Sequence, residues 1–109
     1  MTREEEDAAV RRLMPAALRV ARRLASGGGS AADAGDLEGQ ALLVLVLAVR
    51  DFRPGRAAGA GAMRRYVMWR VGNGLADYLR GNGILTRRHY EQIRAGELPR
   101  RPPRRGAGR

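Results

Sequence analysis

The sequence contains no cysteine and no lysine, and its only histidine is His89. Without cysteine, a disulfide framework and a thiolate zinc site are both excluded. One histidine cannot build a metal centre from several imidazoles. No run of about 18 to 20 apolar residues is present, so the sequence offers no candidate membrane-spanning helix. We therefore expect no metal, no cofactor and no membrane partner.

Acidic residues are scarce in the second part of the chain. Residues 1–60 hold 9 Arg against 8 Asp and Glu, a net charge of +1. Residues 61–109 hold 12 Arg against 3 Asp and Glu, a net charge of +9. Such a concentration of one sign repels itself unless a polyanion neutralises it. The asymmetry favours a nucleic-acid partner, and a solvated basic face is the alternative.

Catalytic patterns are also missing. The glycine-rich stretches SGGGS and GNG lack the preceding strand and the Lys-Ser/Thr ending of a phosphate-binding loop. Glu38 and Asp77 are isolated carboxylates, which we expect to be a solvated side chain and an ion-pair member. The acidic N-terminus does not have the composition of a secretory signal. We expect a cytoplasmic protein that is not an enzyme.

Two helices are predicted in the first half of the chain. Apolar residues recur every three or four positions from Glu4 to Leu24. Pro15 lies within this pattern, and because proline lacks an N–H we expect a break or kink there, with a new helix beginning at Pro15. The second helix is predicted from Asp36 to Phe52. Its nine apolar residues, Ala41–Val49, would also suit a strand, but the length favours a buried helix that a small bundle does not cover completely.

Further elements are predicted downstream. A third helix is expected from Met63 to Arg80 and a short fourth helix from Thr86 to Ala95. The proline- and arginine-rich residues 96–109 cannot build a core and are expected to be a disordered tail. The sequence thus predicts an all-α protein, a compact bundle of three to four helices in residues 1–95. Before the second helix, Ser30 and Asp33 stand at the spacing of a capping box, and Asp36 is a second candidate cap.

The third helix separates its apolar residues from its aromatic and cationic ones. The apolar stripe consists of Met63, Val67, Val71, Leu75 and Leu79. Tyr66, Trp69 and Asn73 share another face. The arginines around them are Arg64, Arg65 and Arg70. Bases stack on aromatic rings and guanidinium groups meet phosphates, so this face suits single-stranded nucleic acid, with Asn73 available for base edges. The alternative is that both rings belong to the core.

Three stretches, in this order, resemble region 2 of bacterial RNA polymerase sigma factors: VRRLMPAALRVARRLA, DLEGQALLVLVLAVRDFRPGR and YVMWRVGNGLADYLR. The resemblance spans roughly residues 10–94 and is nearest to the flagellar, sporulation and stress-response branch. Its most specific part is WRVGNGLADYLR. Other shared features are Pro15 in the first helix, Asp36-Leu37, and Pro54-Gly55-Arg56 after the second helix.

The resemblance implies an all-helical domain that docks on the clamp of core RNA polymerase and captures the −10 promoter element. By position, Tyr66 and Trp69 match aromatic residues that lie against a flipped base. Asn73 matches a polar residue that faces the adjacent duplex. The residues that match cations on the non-template strand are Arg64, Arg65 and Arg70. The positions that face the polymerase are Asp36, Glu38, Gly39 and Gln40.

The sequence departs from the family pattern at the docking positions. Glu38-Gly39-Gln40-Ala41 replaces the usual polar pair followed by glycine, and Gly39 inside a helix costs up to about 1 kcal/mol. The helix-turn-helix that reads the −35 element is not in this sequence, so we expect a one-domain sigma-like protein. Two alternatives remain open. One is a sigma-like protein-interaction module that binds polymerase or an anti-sigma factor without melting a promoter, and the other is a nonspecific DNA-binding protein.

Overall fold

Three α-helices make up the computed structural model, which describes residues 1–27, 34–53, 59 and 61–81. They are α1 (Arg3–Gly27), α2 (Ala34–Asp51) and α3 (Ala62–Gly81). The described part of the chain contains no strand, and the predicted all-α class is confirmed. The predicted fourth helix, the disordered tail and the domain boundary between residues 95 and 96 all lie outside the described residues.

The predicted helix positions agree with the structure to within about three residues at each end. The prediction that residues 41–49 form a helix and not a strand is confirmed, since all of them lie in α2. Asp36 is not the cap of α2 because the helix has already begun at Ala34, and its carboxylate lies in the first turn, where the helix dipole favours negative charge. The other candidate cap, the Ser30 and Asp33 pair, lies outside the described residues.

The prediction of a helix break at Pro15 is wrong. Helix α1 runs through this residue without ending and extends over 25 residues. Proline removes one backbone hydrogen bond, but apolar side chains on both sides of it are buried on the same face, including Leu13, Ala16 and Ala17. Pro15 itself is exposed, so its ring does not displace the core. Packing of the whole face outweighs the local cost of the proline.

A reciprocal cap stabilises the start of α1. The backbone N–H of Glu5 donates to the Thr2 hydroxyl over 3.1 Å, and the backbone N–H of Thr2 donates to Glu5 Oε1 over 2.8 Å. This capping box satisfies donors that have no intrahelical partner. The bond from the Thr2 N–H holds the pKa of the Glu5 carboxyl below its ordinary value of 4.5, with the Thr2 side chain acting in the same direction. The sequence pattern Thr-x-x-Glu could have indicated this cap.

The cap gives α1 a pH-dependent contribution to stability. Because the folded pKa of Glu5 is lowered, its contribution is present above 4.5 and is lost as the pH falls through the lower folded value. We expect Glu5→Gln to be less stable than the wild type at neutral pH and the difference to vanish in acid. Urea unfolding of both proteins across this range checks the sign, and a difference that grows in acid would contradict it.

Helix α2 lies between the other two helices and carries the centre of the core. Both α1 and α3 pack extensively on α2, whereas α1 and α3 touch each other only in a few places. The side chains with no exposed surface on α2 are Leu37, Ala41, Leu45, Ala48 and Val49. Leu43 and Leu47 remain 53% and 42% exposed, which confirms that the bundle does not cover the apolar stretch completely. No helix of the described residues is long and apolar enough to cross a bilayer.

Gly74 sets the distance between α2 and α3. A Cβ atom at this position would lie 2.6 Å from Cγ2 and 3.2 Å from Cγ1 of Val44. Valine is stiff at χ1 in a helix, so Val44 cannot easily rotate away. Gly39 in α2 is a contrasting case, because a Cβ there would meet nothing within 4 Å. Of these two glycines, only Gly74 is required by packing.

Alanine at the two glycines is therefore expected to have opposite effects. Gly74→Ala gains up to about 1 kcal/mol in helix propensity but creates an overpacked contact that costs about 1–3 kcal/mol, so a net loss is expected. Gly39→Ala keeps only the gain, about 0.5–1 kcal/mol. Urea unfolding of both variants measures the difference. Equal stabilisation would show that α2 and α3 do not approach each other at Gly74.

Candidate nucleic-acid interface

The exposed face of α3 carries an arginine, a tryptophan and an asparagine in a line. Arg65, Trp69 and Asn73 follow one another at four-residue spacing, which places them on one side of a helix. Arg65 and Asn73 are exposed, and Trp69 is half-buried. The indole can therefore present part of its surface to a ligand while the rest of the ring packs against the protein. These three residues are called the α3 face below.

The prediction that Tyr66 points outward is wrong, since only 4% of this residue is exposed. The Phe52 ring, just after the end of α2, lies against it with centroids 5.7 Å apart and planes tilted by 46°. On another side the Trp69 ring is 6.5 Å away, tilted by 44°. The guanidinium of Arg70 sits 5.7 Å from the Tyr66 ring centre. Tyr66 thus supports Trp69 from beneath and does not form a second open stacking surface.

Arg70 is held by neighbouring groups within the bundle. Its Nη1 donates to Asp51 Oδ2 over 3.1 Å and to the Tyr66 hydroxyl over 2.8 Å. Partial burial opposes the charge, but the hydrogen bonds to Tyr66 and Asp51 outweigh it and raise the pKa of the guanidinium. Both bonds use Nη1, and within the described part of the chain Nε and Nη2 have no acceptor. Arg70 is a bridge between α2 and α3, with the α3 face beside it.

The predicted cluster of three arginines around the rings is not formed as expected. Arg64 precedes Trp69 by five positions, so it lies roughly 140° around the helix from the indole. It is exposed and stands in the first turn of α3. Arg65 is the arginine that shares the face of Trp69. Arg70 is 27% exposed in its side chain and already engaged with Asp51.

The four predicted docking positions do not share one environment. Asp36 and Gly39 are exposed, and Gln40 is half-buried. Glu38 faces α1, where its Oε2 lies 3.5 Å from Nε of Arg22. The expectation of a solvated Glu38 is therefore wrong, because this carboxylate joins α1 to α2. Asp77, by contrast, forms the expected ion pair, 2.8 Å from Nη1 of Arg80.

Asp51 and Phe52 belong to the site although the sequence did not indicate them. Phe52 was predicted to end the second helix and belongs to the stretch that resembles sigma region 2, but neither it nor Asp51 had a predicted role in binding. Both act across the α2–α3 contact, one through a ring and the other through an ion pair. Periodicity within a single helix carries no information about such contacts. Within the described residues, no group of three His, Cys, Asp or Glu side chains could hold a metal ion.

Comparison with known families agrees with this architecture. The family model Sigma-70 region 2 matches residues 9–83, which is more than half of the chain and includes all three helices from Ala9 onward. Searches of curated proteins and of solved structures found no match. Domains of this family act in transcription initiation, with core RNA polymerase and promoter DNA. On this match and its all-helical fold, the chain belongs to the sigma-70 region 2 family.

Proposed function

We propose that this chain binds core RNA polymerase through the exposed side of α2 and captures the non-template strand of a −10 promoter element on the α3 face. The observation that carries the proposal is the half-exposed Trp69, placed between exposed Arg65 and Asn73 inside the region that matches the family. The α3 face supplies a stacking ring, a cation and a group that can donate and accept hydrogen bonds.

Each member of the α3 face has a distinct role in strand capture. A base that stacks on the Trp69 indole contributes about 1–3 kcal/mol. Extruding a base from a duplex costs a few kcal/mol, and least where pairing is weak, so stacking can offset much of that cost. Arg65 neutralises a phosphate, and Asn73 reads a base edge. No hydrolysis of a nucleotide is needed for this step.

Three further residues assist the α3 face: Tyr66, Arg70 and Arg64. Tyr66 fixes the indole from the side of the core, and Arg70 keeps Nε and Nη2 available for a phosphate while Nη1 holds Asp51 and Tyr66. Arg64 is exposed at the start of α3 and reaches a phosphate further along the strand. All six predicted residues therefore take part in strand capture, but Tyr66 acts through Trp69 without touching the strand, and only Trp69 is a stacking surface.

Docking on the polymerase clamp is assigned to the first turns of α2. Asp36, Gly39 and Gln40 supply the accessible surface, and Glu38 contributes with the part of its side chain that Arg22 leaves open, 29% exposed. Because the protein would act with polymerase on promoter DNA, we propose that it is cytoplasmic. Assignment to the flagellar, sporulation and stress-response branch stays a prediction.

The docking surface is tested by adding one side chain where the structure has room. Gly39→Arg fills open space, so the fold is expected to survive while co-elution with core polymerase is lost. Ala8→Arg is the matched control, since it adds the same charge at an exposed position of α1. Co-elution of both variants at wild-type level would overturn the assignment of α2 as the docking surface.

A second candidate function rests on the apolar surface of α2. Leu43 and Leu47 are exposed, lie one turn apart and suit contact with a protein, such as an anti-sigma factor. A labelled −10-like single strand and a scrambled strand of equal composition separate the two functions in an anisotropy titration. Preference for the −10-like strand supports promoter capture. Polymerase binding without any strand binding supports the interaction module, and equal, strongly salt-dependent binding of both strands supports nonspecific DNA binding.

A further inference from the structure

The charges of α1 are segregated along the helix. All its acidic residues lie in the four positions from Glu4 to Asp7. Residues 8–27 contain five arginines and no acidic residue. These arginines are Arg11, Arg12, Arg19, Arg22 and Arg23, and all five are exposed. The net charge of residues 1–60 is only +1 because acidic residues elsewhere in this half offset these arginines, but the surface of α1 after Asp7 is strongly basic.

Three of the five arginines form a straight row. Arg12, Arg19 and Arg23 lie within roughly 40° of one another around the helix axis, and the row is roughly 16 Å long. It lies beside the buried side of α1, roughly 100° around the helix from the centre of the face that carries Leu13, Val20 and Leu24. The row with its neighbours Arg11 and Arg22 is called the α1 stripe below.

Part of the charge of the α1 stripe, at Arg12 and Arg19, has no ion-pair partner within the described part of the chain. Arg22 lies near Glu38, but Arg12 and Arg19 form no ion pair among the described residues. Arg19 and Arg23 stand four positions apart, where like charges repel each other in a helix. Exposed helices usually intersperse acidic residues on such a face, and α1 has none after its first turns. The stripe therefore has charge available for an external anion.

The chemistry of the α1 stripe fits a nucleic-acid backbone better than a protein. Protein interfaces have an apolar centre, often with aromatic anchors. The large hydrophobic side chains that are exposed in the described residues are Met1, Leu43 and Leu47, and none of them lies in the stripe. Duplex DNA carries one charge per roughly 1.7 Å of its axis, so a row of roughly 16 Å can meet several phosphates.

We infer that the α1 stripe is a second nucleic-acid surface, which binds the phosphate backbone of double-stranded DNA without reading its sequence. This inference goes beyond the proposed capture of a single strand, because the duplex would bind to α1 whereas the single strand is assigned to α3. Contacts to phosphates position a protein on a duplex but do not specify a sequence. The stripe would hold duplex DNA while the α3 face holds an unpaired strand.

Two double variants of equal charge test this inference. Arg12→Gln/Arg19→Gln removes the two members of the row that have no ion pair among the described residues. Arg3→Gln/Arg50→Gln removes two exposed charges that do not belong to the row of Arg12, Arg19 and Arg23; both line the groove between α1 and α2, as Arg11 does. Anisotropy titrations use the full chain and a labelled duplex that lacks a −10-like sequence, over a series of salt concentrations. Polyglutamate serves as a competitor of different chemistry.

The stripe variant is expected to bind the duplex about tenfold more weakly, and its slope of log affinity against log salt should be less steep by about 1.8. The control should lose about twofold or less, because distant charges are screened. Equal losses in both variants would overturn the inference, as would polyglutamate competing as well as unlabelled duplex. Quenching of Trp69 by a −10-like single strand reports α3 separately. If that quenching is absent while the stripe effect remains, only the proposed strand capture fails.

Discussion

Replacing Tyr66 with alanine is expected to lower the free energy of unfolding by about 3–5 kcal/mol, as truncation of a buried aromatic ring usually does. The ring is 4% exposed and packs against Phe52 on one side and Trp69 on another. Its loss would leave a cavity at the junction of α2 and α3. Urea unfolding followed by circular dichroism measures the effect, and loss of the cooperative transition would be its extreme form.

Tyr66→Phe is the matched control for this prediction. It keeps the ring and removes only the hydroxyl that accepts a hydrogen bond from Arg70 over 2.8 Å. We expect a loss of about 1 kcal/mol, typical of one hydrogen bond. If Tyr66→Ala proved no less stable than Tyr66→Phe, the ring would have to be exposed and the structural role of Tyr66 would be wrong.

Trp69→Ala is expected to have its main effect on binding. Affinity for a −10-like single strand should fall by about 1–3 kcal/mol, the contribution of one stacked base. The loss of stability should be much smaller than for Tyr66→Ala, because Trp69 is only half-buried. Anisotropy of a labelled strand measures the affinity, and circular dichroism reports the helix content.

Trp69→Phe separates stacking from mere bulk. It retains an aromatic face and should keep most of the affinity that Trp69→Ala loses. An unfolded Trp69→Ala variant would show that the indole belongs to the core. A folded Trp69→Ala variant with unchanged affinity would show that no base stacks on this residue.

Much of the fold could be predicted because each helix carries its own periodic signal. Of the five apolar residues predicted to line one side of α3, Met63 is half-buried and the other four have no exposed surface: Val67, Val71, Leu75 and Leu79. At Pro15 the apolar periodicity continued correctly, and the prediction failed because the rule that proline breaks a helix was given more weight than the packing of a long helix. There, burial on both sides of the proline decided the outcome.

The side of α3 that is open to a ligand could be predicted only in part. A helical pattern tells which residues share a face, but not what the next element lays over that face. Tyr66 shares the outer side of α3 and is nevertheless covered, because the end of α2 brings Phe52 and Asp51 to it. The surroundings of the docking positions could not be predicted for the same reason, because Glu38 forms an ion pair with Arg22 on a different helix.

The correction at Tyr66 changes how the site is understood. Two open rings would have offered two equivalent stacking surfaces. Instead, Asp51 holds Arg70, Arg70 holds Tyr66, and Tyr66 supports Trp69. One indole is thereby fixed in place before a strand arrives, which lowers the entropy that binding would otherwise cost.

Intrinsic fluorescence of Trp69 is the most direct test, because the chain contains no other tryptophan. The protein is titrated at fixed salt with a −10-like single strand and with a scrambled strand of the same composition. Stacking of an unpaired base on the indole predicts quenching that saturates at lower concentration with the −10-like strand. Unchanged emission with both strands, or identical quenching by both, would contradict sequence-selective capture at the α3 face.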